Sequence, residues 1–271
     1  MSTQRSPISP ALLLGAAVAV VGLACGEVPT LPGGVAYITP VILPAPALAY
    51  GDTMRDSLGR VAPLVIHGID NSGDTVPGLA PRFVVTTVPG KSVTITAANL
   101  VLGDSVRTVQ VVGRVGDRLQ TPAAQFDVVW QPDSMVSSTS TTARFPAIAT
   151  GETSSLVALG VGVTSGANVT AGAGATRAAV PGIIVRYVVT RVFPASSSIP
   201  DTTLVLIDES NRFQLPTGRT SVDTTDASGG ASRRIRAIPF GFDSVEITAS
   251  ANNLRGIPLK GSPIRFLVTT K

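Results

Sequence analysis

VPGLAPRFVVTT, residues 76–87, recurs as VPGIIVRYVVTR at residues 180–191. Seven of the twelve positions are identical, and Phe83 is exchanged only for Tyr187. Each copy is a Val-Pro-Gly turn feeding a run of β-branched and aromatic residues, which is strand chemistry. The offset of 104 residues is close to the ~100 residues of one β-sandwich, so the repeat predicts two tandem modules. Val84 and Val85, and Val188 and Val189, should lie in equivalent strands of separate cores. Arg82 and Arg186 should then hold matching places on their strands.

Working outward from the first copy, strand-like runs fall at 35–43, 62–70, 81–88, 91–102, 105–115 and 124–130. DNSGD (70–74), VPG (76–78 and 88–90) and VGDR (115–118) supply turns between them. Short strands at this density match an immunoglobulin-like sandwich. A second echo pairs GDSVRTVQVVGRVGDRLQTPAAQFDVV with the C-terminal FDSVEITASANNLRGIPLKGSPIRFLV. IRFLVTT (264–270) also resembles PRFVVTT, but it is out of phase with the repeat and reflects shared strand chemistry only. The Ser/Thr-rich stretch at 132–155 reads either as a linker or as the first edge strand of the second module.

Composition agrees with an all-β chain. Glu and Lys, good helix formers, number four and three, while Asp numbers thirteen beside 27 Gly and 21 Pro. One cysteine excludes an intrachain disulfide, so the sheets are expected to hold by packing alone. The formal charge of +4 is mild. Its densest basic cluster, SRRIRAIP (232–239), lacks interleaved aromatics, which argues against nucleic acid as a partner.

That one cysteine, Cys25, follows fourteen uncharged residues, ALLLGAAVAVVGLA (11–24). The run is short of the ~20 residues of a membrane span and suits a secretory signal. The VGLAC ending resembles the lipobox of bacterial lipoproteins, with Gly22 where leucine is usual. The resemblance implies cleavage before Cys25 and lipid on its thiol, and two or three chains would anchor the protein stably. An ordinary signal peptide is the alternative. Gly26, in place of the aspartate that retains proteobacterial lipoproteins in the inner membrane, points to the outer membrane.

TSVDTTDASGGASRRIRAIP (220–239), followed by DSVEITASANNLRGIPLKGSPIRFLV (243–268), resembles bacterial immunoglobulin-like domains of the invasin and intimin type. The matching positions are Thr225, Asp226, Gly229 and Ala231, then Gly261, Ser262, Pro263 and Phe266. The resemblance implies envelope stalks, adhesins and spacers, and brings no catalytic residues. Neither the β-barrel nor the lectin-like head of full invasins is visible in the sequence. The expected organisation is a signal peptide (1–24), a lipidated tether (25–34), one immunoglobulin-like module (35–132) and a second (133–271) that includes the Ser/Thr-rich segment 134–155.

The sequence carries few signs of catalytic chemistry. No G-x-S-x-G occurs, and PGKS (89–92) lacks the first glycine of a phosphate loop. His67, on one strand face with Val65 and Ile69, reads as a part-buried strand residue. A single His and a single Cys exclude zinc clusters. Asp70, Asn71 and Asp74, or Asp223 and Asp226, could offer oxygens to Ca²⁺, but they fit hairpin turns better, so neither metal nor cofactor is expected. Contacts with a partner are expected at loops 191–203 and 223–232, through Ser196, Ser197, Ser198, Asp223 and Asp226. The expected function is that of a non-enzymatic, lipid-anchored envelope protein acting as spacer, protein-binding or adhesion module. The alternative is a carbohydrate- or peptidoglycan-binding accessory lipoprotein, for which Trp130 is the one aromatic candidate, although it reads better as packed near a strand end.

Overall fold

The computed structural model describes residues 34–87, 93–116, 118–166, 177–194, 204–208, 218–238 and 241–270, and every regular element among them is a strand. The first half holds β1 (Tyr37–Ile38), β2 (Ala47–Ala49), β3 (Gly68–Ile69), β4 (Thr75–Val76), β5 (Arg82–Val85), β6 (Val93–Ile95), β7 (Val101–Gly103), β8 (Arg107–Val115), β9 (Leu119–Gln120) and β10 (Ala124–Val129). The second half holds β11 (Ser134–Ser137), β12 (Thr142–Arg144), β13 (Ser155–Ser165), β14 (Ala178–Ala179), β15 (Ile184–Phe193), β16 (Leu204–Ile207), β17 (Thr220–Thr224), β18 (Gly230–Ala237), β19 (Ser244–Ala251) and β20 (Ile264–Thr269).

The second half is a two-sheet sandwich. One sheet runs β11-β13-β18-β16, and the other runs β12-β20-β19-β15-β17. Burial alternates residue by residue along the whole of β18 and β19, the period of two that a half-buried strand requires. Leu159, Val161 and Ile235 from one sheet meet Tyr187, Ile247 and Phe266 from the other in a single core. Burying each large apolar side chain contributes roughly 1.5–3 kcal/mol. The Ser/Thr-rich stretch is not a linker. It supplies β11 to the first sheet and β12 to the second, so it crosses from one layer to the other.

Strand order supports the tandem reading. The order β2-β10-β8-β5 in the first half mirrors β12-β20-β19-β15 in the second. In each, the first strand runs parallel to the last, and the other neighbours are antiparallel. The two copies of the repeat are β5 and β15, in separate sheets, and the second echo is β8 and β10 against β19 and β20. Phe126 lies opposite Val109 as Phe266 lies opposite Ile247. IRFLVTT forms β20, which is not equivalent to β5.

The valines lie in equivalent strands as expected, but the aromatic before each pair is the more deeply buried. Phe83 and Tyr187 are buried, while Val84, Val85, Val188 and Val189 are only partly so. Consecutive strand residues point to opposite faces, so only one valine of each pair shares the side of the buried aromatic, and Val189, on the Tyr187 side, packs against the core of the second sandwich. Arg82 and Arg186 are both exposed just before it. The 91–102 run also differs, because it folds back as the β6-β7 hairpin. The 35–43 and 62–70 runs each yield a two-residue strand and share a bridge between Ile42 and Val65. Pro40, Pro44 and Pro63 withhold the donors that longer strands would need.

By compactness the chain divides into Met1–Thr39 with His67–Ala80, and Pro40–Ile66 with Pro81–Lys271. The described part of the smaller unit is the β1-β3-β4 sheet, with Val35 and Leu79 packed over Gly68. The larger unit holds the second sandwich together with the remaining strands of the first half.

Packing is not the only force between the layers of the second sandwich. The Tyr187 hydroxyl on β15 donates to the Ala231 carbonyl on β18 at 2.9 Å. Arg233 on β18 donates to Ser221 Oγ at 2.9 Å, also to the Val222 carbonyl, and pairs with Asp223 at 3.0 Å. Burial, with the nearby Asp223 charge, pushes the Tyr187 phenol well above its ordinary pKa, against a smaller opposing effect of Arg233. Tyr187 therefore stays a neutral donor. Tyr187→Phe keeps the ring and removes one buried hydrogen bond. Chemical denaturation should show about 1 kcal/mol of lost stability with an unchanged m-value.

Candidate functional site

Four turns share one design. At 56–60, 70–74, 226–230 and 253–257, an Asp or Asn opens the turn and glycine stands fourth. The opening residue's N–H donates to the fifth residue's carbonyl, and the glycine N–H donates back to the first carbonyl. Each glycine has positive φ, as a type I turn closed by a left-handed residue requires. The opening side chain accepts two further backbone N–H groups through Oδ1, at 2.8 to 3.0 Å. Asp70 and Asp226 thus direct oxygen toward their own turns. The Ser228 hydroxyl and the Gly230 and Ser228 N–H groups hold the Asp226 carboxyl below the usual carboxylate range. Among the described residues, no group of three or more His, Cys, Asp or Glu side chains is placed to hold a metal.

The other candidate residues are dispersed. Cys25, Ser196, Ser197 and Ser198 lie outside the described residues, as do most of loop 191–203 and PGKS (89–92). Asp223 belongs to β17 rather than to a loop, and its carboxylate accepts the Ser232 N–H at 2.8 Å beside Arg233. A groove of about 530 Å³ lies alongside, lined by Ser138, Asp208, Asp223, Asp226, Ser232 and Arg233. His67 is exposed and lies just before β3, where the Thr39 hydroxyl accepts its N–H at 3.0 Å. The part-buried strand position expected for it is not found, because the strand here spans only two residues. Trp130 follows β10 directly and meets Tyr50 edge-on, with ring centroids 5.1 Å apart.

The most constructed feature lies within the larger unit, where the two halves of the chain meet. Asp52 accepts from Arg255 Nε at 2.7 Å and pairs with Arg55 at 3.3 Å. The turns at 56–60 and 253–257 abut here. A Cβ on Gly59 would fall 2.4 Å from the Arg255 carbonyl oxygen, so only a glycine lets these two backbones approach so closely. Ala47 and Val129, from the first half, belong to the same buried cluster as the core of the second sandwich. The D/N-x-x-G spacing was available in the sequence as a signal for both turns, but nothing in it marked them as neighbours.

Burial raises the pKa of Asp52, yet hydrogen bonds from Arg255, the Thr53 N–H and Arg55 outweigh it, and the carboxyl sits below its ordinary 3.8. Beside this joint runs a second groove of about 570 Å³, bordered by Arg55, Leu58, Ile184, Arg186, Ser250 and Asn252. Its lining comes from residues 45–46, 55–58, 182–184, 186, 222 and 250–254, all within the larger unit.

No protein-family model matches the sequence, and no curated protein matches it. Among solved structures, the chain is similar to the adhesin InvE of Yersinia pseudotuberculosis, with 16% identity over 88% of this chain and 60% of that one, and a TM-score of 0.34. It is also similar to domains 4 and 5 of the S-layer protein SbsC (10%, 86% and 96%, TM-score 0.29). The Escherichia coli adhesin FdeC is another such structure (11%, 86% and 64%, TM-score 0.26). The chain thus spans 60% of the length of the InvE chain it matches. These neighbours are bacterial surface adhesins and an S-layer protein, and the strand order above, not the overlays, carries the fold.

Gly73→Ala, where the added methyl meets nothing within 4 Å, should lose about 1–2 kcal/mol from the positive φ alone. Gly59→Ala should lose clearly more and speed proteolysis between the halves, which limited digestion with mass spectrometry would read. In acid, a carboxylate with a lowered folded pKa stabilises above its unfolded value, and that contribution disappears as pH falls through the folded one. Stability from Asp52 is therefore whole above about pH 4 and declines below it, and Asp52→Asn should flatten this part of the pH–stability curve.

Proposed function

We propose that this protein is a non-enzymatic, lipid-anchored component of the bacterial cell envelope whose tandem immunoglobulin-like modules act as a spacer and binding scaffold. The observation that carries the reading is the joint of Asp52, Arg255 and the two abutting turns. A spacer has to transmit position from one module to the next, and an ion pair over a close backbone contact restrains the hinge where a free linker would not. Support for the anchor comes from Cys25 and the apolar run before it. The outer membrane is the site of attachment in this reading, with the first module near the lipid and the second presenting its loops outward. The partner is an envelope or surface protein.

A specific observation favours the carbohydrate-binding alternative. Tyr50, 47% exposed, stands beside Trp130, and paired rings of this kind give apolar faces with polar tips. Tyr50→Ala with Trp130→Ala should then abolish pulldown by peptidoglycan, whereas the spacer reading leaves such pulldown absent in the parent as well.

The anchor is tested by feeding cells a clickable fatty acid. The parent chain should take up label and sediment with membranes, and Cys25→Ser should lose both. Equal labelling of the two proteins would overturn lipidation at Cys25.

A further inference from the structure

We infer that the groove beside the joint binds the free carboxyl terminus of a peptide whose last side chain is aliphatic. Its wall is apolar, with Leu58 68% exposed and Ile184 39% exposed, and Pro46 and Leu254 complete that lining. Side chains this exposed lose contact with water when an aliphatic group settles between them, which is favourable at about 25 cal/mol per Å².

Charge gives the groove its sign. Arg186 stands on the outer face of β15, opposite Val222 and Ser250, and its guanidinium makes no hydrogen bond or ion pair among the described residues. Arg55 is fixed by the Gly59 carbonyl at 3.0 Å and Asp52 at 3.3 Å, yet its Nε is buried with no partner. A buried donor left unpaired loses its hydration without return, and an acceptor brought by a ligand would satisfy it after a small side-chain shift. Asp56, the single acid in the lining among the described residues, already accepts from the Leu58 and Arg60 N–H groups and from Arg60 Nε. The groove is therefore cationic, and a carboxylate suits a guanidinium through paired N–H donors.

Ser57, Ser250, Asn252 and Asn253 bring hydroxyl and amide groups to the same lining. Such groups match the alternating donors and acceptors of a peptide backbone, which a plain hydrocarbon chain lacks. At about 570 Å³, the space falls within the usual range of ligand clefts. The inference does not depend on lipid at Cys25, and it names a ligand class that the spacer reading leaves open.

Calorimetric titration of the purified full-length chain tests it, with acetyl-Gly-Ala-Leu as the probe and its C-terminal amide and octanoate as comparators. The free acid should bind, with the amide and octanoate each at least about tenfold weaker. Arg186→Gln should weaken the acid by about the same factor, while Arg265→Gln, elsewhere on that sheet, should not. Leu58→Asn should weaken the acid and the amide alike, because it removes apolar wall rather than charge. Absence of binding, equal affinity for acid and amide, octanoate equal to the peptide, or an unchanged Arg186→Gln would each overturn the proposal.

Discussion

The Tyr187 hydroxyl, donating to the Ala231 carbonyl between two sheets, marks the constraint that organises the second sandwich. A chain with one cysteine has no covalent staple for its layers, so facing strands must be fixed in register by side chains. Apolar packing favours closeness but tolerates sliding, whereas hydrogen bonds are directional. Tyr187 and Arg233 together tie β15 and β17 to β18. Arg233 can be buried because Ser221, Val222, Ser232 and Asp223 receive its donors. Removing one of those acceptors would leave a buried charge poorly compensated.

Both halves close their main sheets by the same device, a short early strand laid parallel to the last one. This pairs the outer side of the last strand and leaves a strand of only three residues at the edge, a short edge that offers few backbone groups to another chain. It also explains why the Ser/Thr-rich stretch is ordered. Between and beside its two edge strands, its Ser and Thr side chains hydrogen-bond nearby backbone groups while facing water. Ser137 and Thr139 show this directly, with the Ser137 hydroxyl donating to the Thr139 carbonyl and the Thr139 hydroxyl accepting from the Gly160 N–H.

The joint ties together, within the larger unit, two stretches that lie far apart in sequence. Asp52 and Arg255 meet across 203 positions of sequence, and the groove beside them takes its lining from both stretches. The functional reading rests on this convergence rather than on any reactive group. Ion pairs with this much exposure contribute at most about 1 kcal/mol, so the buried Ala47 and Val129 contacts and the tight backbone approach supply the rest of the restraint.

By itself, the sequence determined the strand class, the repeat and the turns. These depend on neighbours within a few residues: glycine after Asp-x-x sets a left-handed corner, and proline removes a donor, wherever the chain goes next. The 76–87 and 180–191 echo placed β5 and β15 in separate sheets for the same reason, since identical local chemistry folds alike. Tertiary structure alone decided which residues of the echo turn inward, because Phe83 and Tyr187 take that side only once the facing sheet is present. It alone assigned Asp223 to an ion pair inside the sandwich rather than to a surface loop. It alone set Asp52 against Arg255, because contacts between residues so far apart follow from the register of every strand between them, and no local pattern records that sum.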